Sequence, residues 1–458
     1  MKKIITILLI ACLTIAAIQV NDELYQPTFI EPSVQRSGDA IKGYEYLTTG
    51  NYLKSGIPLS LFSLGTPKDT NNFLNRTGIN QTIAFDFTAV KAPNNEIVVA
   101  PNCLQCHAQV FDKKLVIGLG NSFSDFTVNR ESTALMAEKF LKKLTGEQVK
   151  KYEAAKNFIT SIKTISPQLI TPIKGVNLAD VLAAVLVAHR NPVTLQWSDV
   201  PLMALPTEKI PSDVPAWWLL KKKNAMFYNG FGRGDFGKFL MASNLLTVSD
   251  TTEAIEVDSH FNDVLAYIQS INAPKYPKSI DEKLAAKGEK IFTANCSKCH
   301  GTYGDKVTYP NLLIPQQIIQ TDSALYAANY SSPQFVDWFN KSWFTTGSHP
   351  AKLVPYKGYI APPLDGIWIT APYLHNGSVP NLETLLNSKL RPTFWERNFN
   401  QQSYNYDVPG WNYMQATAAT TSSIYNTTLK GYSNAGHYFG DHLTNKQRKA
   451  VIEYLKKL

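Results

Sequence analysis

Two five-residue segments constrain this chain more than anything else in it: Cys103-Leu104-Gln105-Cys106-His107 and Cys296-Ser297-Lys298-Cys299-His300. Two cysteines three positions apart share one turn, so both thiols can add to the two vinyl groups of a single porphyrin. The histidine that follows at once then lies under the iron as an axial ligand. A zinc site or a dithiol redox pair also uses CxxC. Neither explains a histidine directly after both pairs, and no βαβ pattern surrounds either one. Of the chain's 5 cysteines, the fifth, Cys12, falls in the N-terminal segment, so none remains for a structural disulfide. The reading is two covalently bound haem c groups. Cys103, Cys106 and His107 hold one; Cys296, Cys299 and His300 hold the other.

The N-terminus agrees with this chemistry, because thioether attachment takes place outside the bacterial cytoplasmic membrane. Lys2 and Lys3 precede an apolar stretch from Ile4 to Val20, the pattern of an export signal or N-terminal anchor over residues 1–20. Leu9-Ile10-Ala11-Cys12 also has the form of a lipoprotein box. A periplasmic or secreted location follows, with Cys12 lipidation or an uncleaved anchor as membrane-attached variants. A net charge of +9 over 458 residues favours acidic partners such as small redox proteins. No Lys/Arg run is long enough for nucleic acid; the longest, Lys221-Lys222-Lys223, reads as a solvated face.

Along the chain, helical periodicity marks Glu131 to Leu141, Gly146 to Ile162, Leu178 to His189 and Asp258 to Ile271. Glu96 to Pro101 is an apolar run that leads into the first motif. Pro274 and Pro277 break the pattern and mark a linker at 273–280. Asp281 to Phe292 then forms the helix that delivers the second motif, with Gly288 permitting close approach of a neighbour. Val264-Leu265-Ala266-Tyr267-Ile268 and Val451-Ile452-Glu453-Tyr454-Leu455 share one pattern, at a similar distance after each motif. The expected fold is mainly α: two cytochrome c-like haem domains with long loops and little β-structure. The boundaries are 21–272 for the N-terminal haem domain and 281–458 for the C-terminal one.

The sixth ligand of each iron decides between electron transfer and ligand binding. Met414 is the one methionine of the C-terminal part, so a histidine is the expected partner there. His437, in Asn434-Ala435-Gly436-His437-Tyr438-Phe439-Gly440, is preferred. Its glycines would let the backbone approach a flat macrocycle. His375, in the turn Ala371-Pro372-Tyr373-Leu374-His375-Asn376-Gly377-Ser378, is the alternative. His189 and His260 lie on helix faces, where core or surface roles are expected.

The segment Ala371-Pro372-Tyr373-Leu374-His375-Asn376-Gly377-Ser378 resembles the corresponding stretch of the bacterial di-haem cytochrome c peroxidase superfamily. The segments Pro215 to Tyr228, Arg391 to Trp395 and the loop around His437 resemble its di-haem rubber oxygenase branch. The resemblance implies that the N-terminal haem, anchored by His107, meets peroxide or dioxygen. The C-terminal haem, held by His300 and His437, handles electrons. Trp217, Trp218 and Phe227 are the implied catalytic aromatics. Two departures tell against ordinary peroxidase chemistry. No tryptophan lies between His107 and Trp197, and Leu385 and Leu386 stand where a distal methionine is expected. A calcium ion also accompanies the peroxidase relatives, but no acidic cluster gives it a position here.

Each haem has more chain around it than a simple carrier needs. The expected function is a redox enzyme acting on peroxide, dioxygen or an apolar organic substrate. A pure electron carrier with both irons six-coordinate, and a haem-based sensor or binding module, are the alternatives.

Overall fold

The computed structural model describes residues 25–400 and 403–458. The apolar N-terminal stretch and Cys12 lie outside the described residues. Among those residues, no helix is long and apolar enough to cross a membrane.

Two pairs of packed helices organise the chain, one for each haem motif. In the first pair, Ala40–Thr49 packs on Phe261–Ser270. In the second, Glu282–Asn295 packs on Asn445–Leu455. Local chemistry starts three of these four helices. The Asp39 side chain accepts from the Ile41 and Lys42 amides, and Asp281 accepts from Leu284 N. Thr444 and Gln447 form a reciprocal capping box.

Each pair meets at a glycine. A Cβ on Gly43 would lie 1.9 Å from Asp263 O, and one on Gly288 would lie 1.9 Å from Ala450 O. Asp263 and Ala450 are the residues just before Val264 and Val451, so the repeated pattern aligns in space as well as in sequence. Ala40-Ile41-Lys42-Gly43 and Ala285-Ala286-Lys287-Gly288 extend the alignment to the first helix of each pair. The duplication therefore covers both helices of each unit. Gly288→Val is expected to force this crossing apart and cost about 1–3 kcal/mol. A thermal or denaturant midpoint equal to that of the parent protein would show that the contact carries no stability.

The fold is mainly α, as expected, with only two- and three-stranded sheets. Strands Phe87–Lys91 and Ile97–Pro101 pair antiparallel. Val98, Val99 and Ala100 are buried there, and the chain passes directly from this hairpin to Cys103. Glu131–Leu141 and Val149–Ile165 form where periodicity places them. The stretch from Asp258 to Ile271 is not one helix. It contains the end of a helix Thr251–Asp258, capped by Asp250, and the whole of Phe261–Ser270.

The linker divides the chain more cleanly than it divides the cores. Trp338, Phe339, Phe344, Ala351 and Leu353 join the core built on the N-terminal helices. Phe111, Leu119, Ala216, Trp218 and Leu219 join the C-terminal one. Strand Gly232–Gly234 pairs with Ala351–Leu353 across the same divide.

Candidate haem sites

At the second motif, Glu282–Asn295 ends where Cys296 N donates to Phe292 O, and His300 N then donates to Cys296 O at 3.0 Å. This single turn places both cysteines and the histidine on one side. His300 Nδ1 lies 2.8 Å from Pro362 O. That hydrogen bond fixes the tautomer and leaves Nε2 with its lone pair free, which is how ligating histidines are oriented. Tyr303 steadies the arrangement: its hydroxyl donates to His300 O at 3.2 Å and accepts from Leu364 N at 2.6 Å.

His437 faces His300, with ring centres 6.2 Å apart and planes inclined by 58°. A metal–imidazole bond of about 2 Å on each side puts two ring centres about 6 Å apart, so the spacing fits one iron between them. Burial, and then the neighbouring His300, push the His437 imidazole down to about 3. It is therefore neutral, the form that can donate to a metal.

The loop that presents His437 is clamped from three directions. His437 N donates to Ile319 O at 2.7 Å. Arg391 donates to Gly436 O at 2.7 Å and to Thr384 O at 3.0 Å. His437 itself adopts φ 51°, a left-handed conformation that a non-glycine residue holds only when its surroundings impose it. The flanking glycines meet protein backbone. A Cβ on Gly436 would lie 2.2 Å from Thr321 N, and one on Gly440 would lie 2.4 Å from Leu386 O. They let the loop pass tightly against other backbone.

At the first motif, Asn102 sets the turn. Its side chain donates to Phe85 O and Thr88 Oγ1 and accepts from Leu104 N, each at 2.9 Å. Asn177 Nδ2 lies 3.5 Å from Cys106 Sγ. None of the four motif cysteines is in a disulfide. Cys103, Cys106 and His107 retain accessible surface, yet desolvation dominates their titration and lowers His107 to about 3. His107 Nδ1 is buried with no partner. The ring against His107 is Trp217, stacked at 4.6 Å and 18°. Two backbone bonds lock this pair: Gly118 N donates to His107 O at 2.7 Å, and Trp217 N donates to Gly118 O at 2.8 Å. Gly118 has φ +90° and lies against the Trp217 Cβ, so a side chain there would push the indole away.

Trp218, the next residue, turns the opposite way into the C-terminal core, and its Nε1 donates to Asp365 O at 2.8 Å. Trp217 and Trp218 thus lie between the two motifs in space. Phe227, at φ 69°, packs on Phe231 and Phe239 with ring centres 5.1 and 5.6 Å away.

His375 is not brought to His300. It stacks on Tyr359 at 4.2 Å, and its Nε2 is sealed in the protein without a partner. The turn that carries it is instead tied to Asp213, whose amide donates to His375 O at 2.6 Å. The Asp213 carboxylate accepts from Tyr228 at 3.1 Å. Burial pushes this acid up to about 7, against the lowering effects of the Val214 amide, Tyr228 and Arg397. Its folded pKa lies above its unfolded value, so the stability it contributes is present in acid and lost as pH rises from about 4 to about 7. The shift is worth at most about 4 kcal/mol. Asp213→Asn is expected to flatten the decline in denaturant stability between pH 4.5 and 7.5. Parallel pH profiles for the two proteins would refute this. Among the described residues, no cluster of three or more His, Cys, Asp or Glu side chains is arranged for a separate metal ion.

The helix pairs and the CxxCH turns are cytochrome c-like in form, and a cytochrome c domain implies covalently bound haem c. Residues 285–347 match the cytochrome c family. Residues 358–396 match the family described as RoxA-like, cytochrome c-like. The first match includes Cys296 to His300; the second includes the turn around His375 and the clamp residue Arg391. Over 283 residues the chain is 26% identical to the uncharacterized protein y4iM of Sinorhizobium fredii, covering 54% of this chain and 64% of that protein. It is 40% identical over 111 residues to the uncharacterized protein y4iJ of the same organism, 22% of this chain and 18% of that protein. The chain spans less than two thirds of either relative.

Proposed function

We propose that this chain is an exported di-haem cytochrome of the peroxidase superfamily, nearest its rubber oxygenase branch. The haem at His300 transfers electrons, and the haem at His107 meets peroxide or dioxygen. One observation carries the reading: His300 faces a second imidazole at ligating distance, whereas the ring against His107 is an indole stacked on its face, which is not an iron ligand. Two protein ligands favour electron transfer, and an open position favours a small oxidant.

The haem groups supply the redox chemistry; the protein holds, couples and shields them. His107 and His300 would hold the two irons from the CxxCH turns, and His437 would supply a second ligand to the iron at His300. Trp217 and Trp218 support coupling between the two centres. From the His107 ring, contact runs through the Trp217 stack and one peptide unit to Trp218, whose Nε1 donates to Asp365 O. Asp365 lies three residues after Pro362, whose carbonyl accepts from His300. The Lys222–Asp365 ion pair at 2.7 Å pins this crossing. Phe227 and its aromatic neighbours make the N-terminal core apolar, which suits an oxidant or an organic substrate and excludes water. Small redox proteins are the expected electron partners.

Electron paramagnetic resonance of the oxidised protein tests the proposal. One high-spin and one low-spin ferric signal, with the high-spin signal responding to peroxide, is the expected result. Two low-spin signals unchanged by peroxide would instead mark a pure electron carrier.

A further inference from the structure

Beyond the iron ligands, the segment from Trp217 to Arg233 collects hydrogen-bond donors that have nothing to bond. Trp217 Nε1, Asn229 Nδ2 and Arg233 Nη1 are all buried without a partner. Lys223 Nζ makes one long bond, 3.3 Å to Phe227 O. The lysine run does not form a solvated face. Lys221 is exposed and Lys222 pairs with Asp365, but Lys223 points inward.

Met226 bridges Gly232 and Lys223 Nζ reaches back to Phe227 O, so Lys223 and Arg233 flank one hairpin. Burial, and then the charge of Arg233, lower Lys223 to about 8; burial brings Arg233 down to about 10. Among the described residues, neither forms an ion pair with a carboxylate. Two desolvated cations side by side are costly unless an anion completes them. The backbone is shaped to hold them so. Phe227 and Gly230 take φ of 69° and 61°, and the strand Gly232–Gly234 fixes Arg233 opposite Lys352.

The same core that holds Trp217 also packs against Cys103, Met226 and Phe227. A porphyrin tied at one edge by Cys103 and Cys106 carries its two carboxylates on the opposite edge. These carboxylates are the anions such a core must accommodate. We propose that Lys223 and Arg233 bind the propionates of the haem attached at Cys103 and Cys106. This rests on haem attachment at the first motif, not on the reaction proposed there. Fixed cations on the propionates disfavour the ferric state and so raise the potential of that haem alone.

The test is a spectroelectrochemical titration of the full-length holoprotein, resolving the two haems. Lys223→Gln and Arg233→Gln should each shift the first haem to a more negative potential, and the double variant further. The second haem should not move, and Lys223→Arg should restore most of the shift. Sodium acetate should produce no saturable change in the optical spectrum. Unchanged potentials in the double variant would overturn the assignment. So would a saturable acetate response in the parent protein that the double variant lacks, because the site would then take a diffusible carboxylate. Mass spectrometry of the same samples separates the two kinds of failure. A parent protein with one haem sinks the di-haem reading and this proposal together; two haems with unmoved potentials sink this proposal alone.

Discussion

Cys103→Ser combined with Cys106→Ser is expected to leave the protein with one covalent haem instead of two. The intact mass should fall by one haem, and the haem absorbance should drop by about half, a change set by stoichiometry rather than by any energy estimate. The physical basis is that all four motif cysteines are free, and each pair is set on one turn with its histidine. The remaining haem should be the one at His300, so the residual spectrum should be low-spin. The reciprocal pair, Cys296→Ser with Cys299→Ser, should retain only the haem at His107. Two haems persisting in the first variant would reject residues 103–107 as an attachment site.

His437→Ala should convert the second haem from low-spin to high-spin. The side chain supplies one of two imidazoles 6.2 Å apart, and its loss opens that coordination position. The change should stay local. Arg391 holds the loop through the carbonyl of Gly436, and Ile319 O holds it through the His437 amide; an alanine keeps both contacts. His375→Ala serves as the control, since its ring lies on Tyr359 and its removal should leave the spin state unchanged. If His375→Ala produced the high-spin signal and His437→Ala did not, the two assignments would be exchanged.

The helices were legible in the sequence where one apolar stripe begins and ends cleanly. Glu131–Leu141 begins and ends where periodicity indicates. The break at Ser259 and His260 was not legible, because the apolar pattern runs through it while the backbone does not. Half of the internal duplication was visible as the repeated Val-x-x-Tyr pattern. The other half, Lys42-Gly43 against Lys287-Gly288, becomes compelling only when both glycines are found under the backbone of the partner helix.

The candidate sites divide in the same way. Glycines around His437 signalled a close approach, and the structure sets the backbone of Thr321 and Leu386 against them. The inward turn of Lys223 had no signal, since a lysine between lysines reads as solvated whichever way it faces. Trp217 and Trp218 were visible as a pair of aromatics. That consecutive residues enter different cores could not be read from the string, because it depends on which elements pack on either side of them.

By itself the sequence determined the attachment chemistry, CxxCH twice, and the mainly α character that surrounds it. Both are local: one turn of backbone brings two thiols and an imidazole to one side, and helical periodicity acts over a few residues. Only the tertiary structure decided that the two motifs are unequal. It set His437 against His300, Trp217 against His107, and Lys223 beside Arg233. Each pairing joins segments far apart in the chain or turns a side chain inward, and is settled by packing that no local pattern encodes.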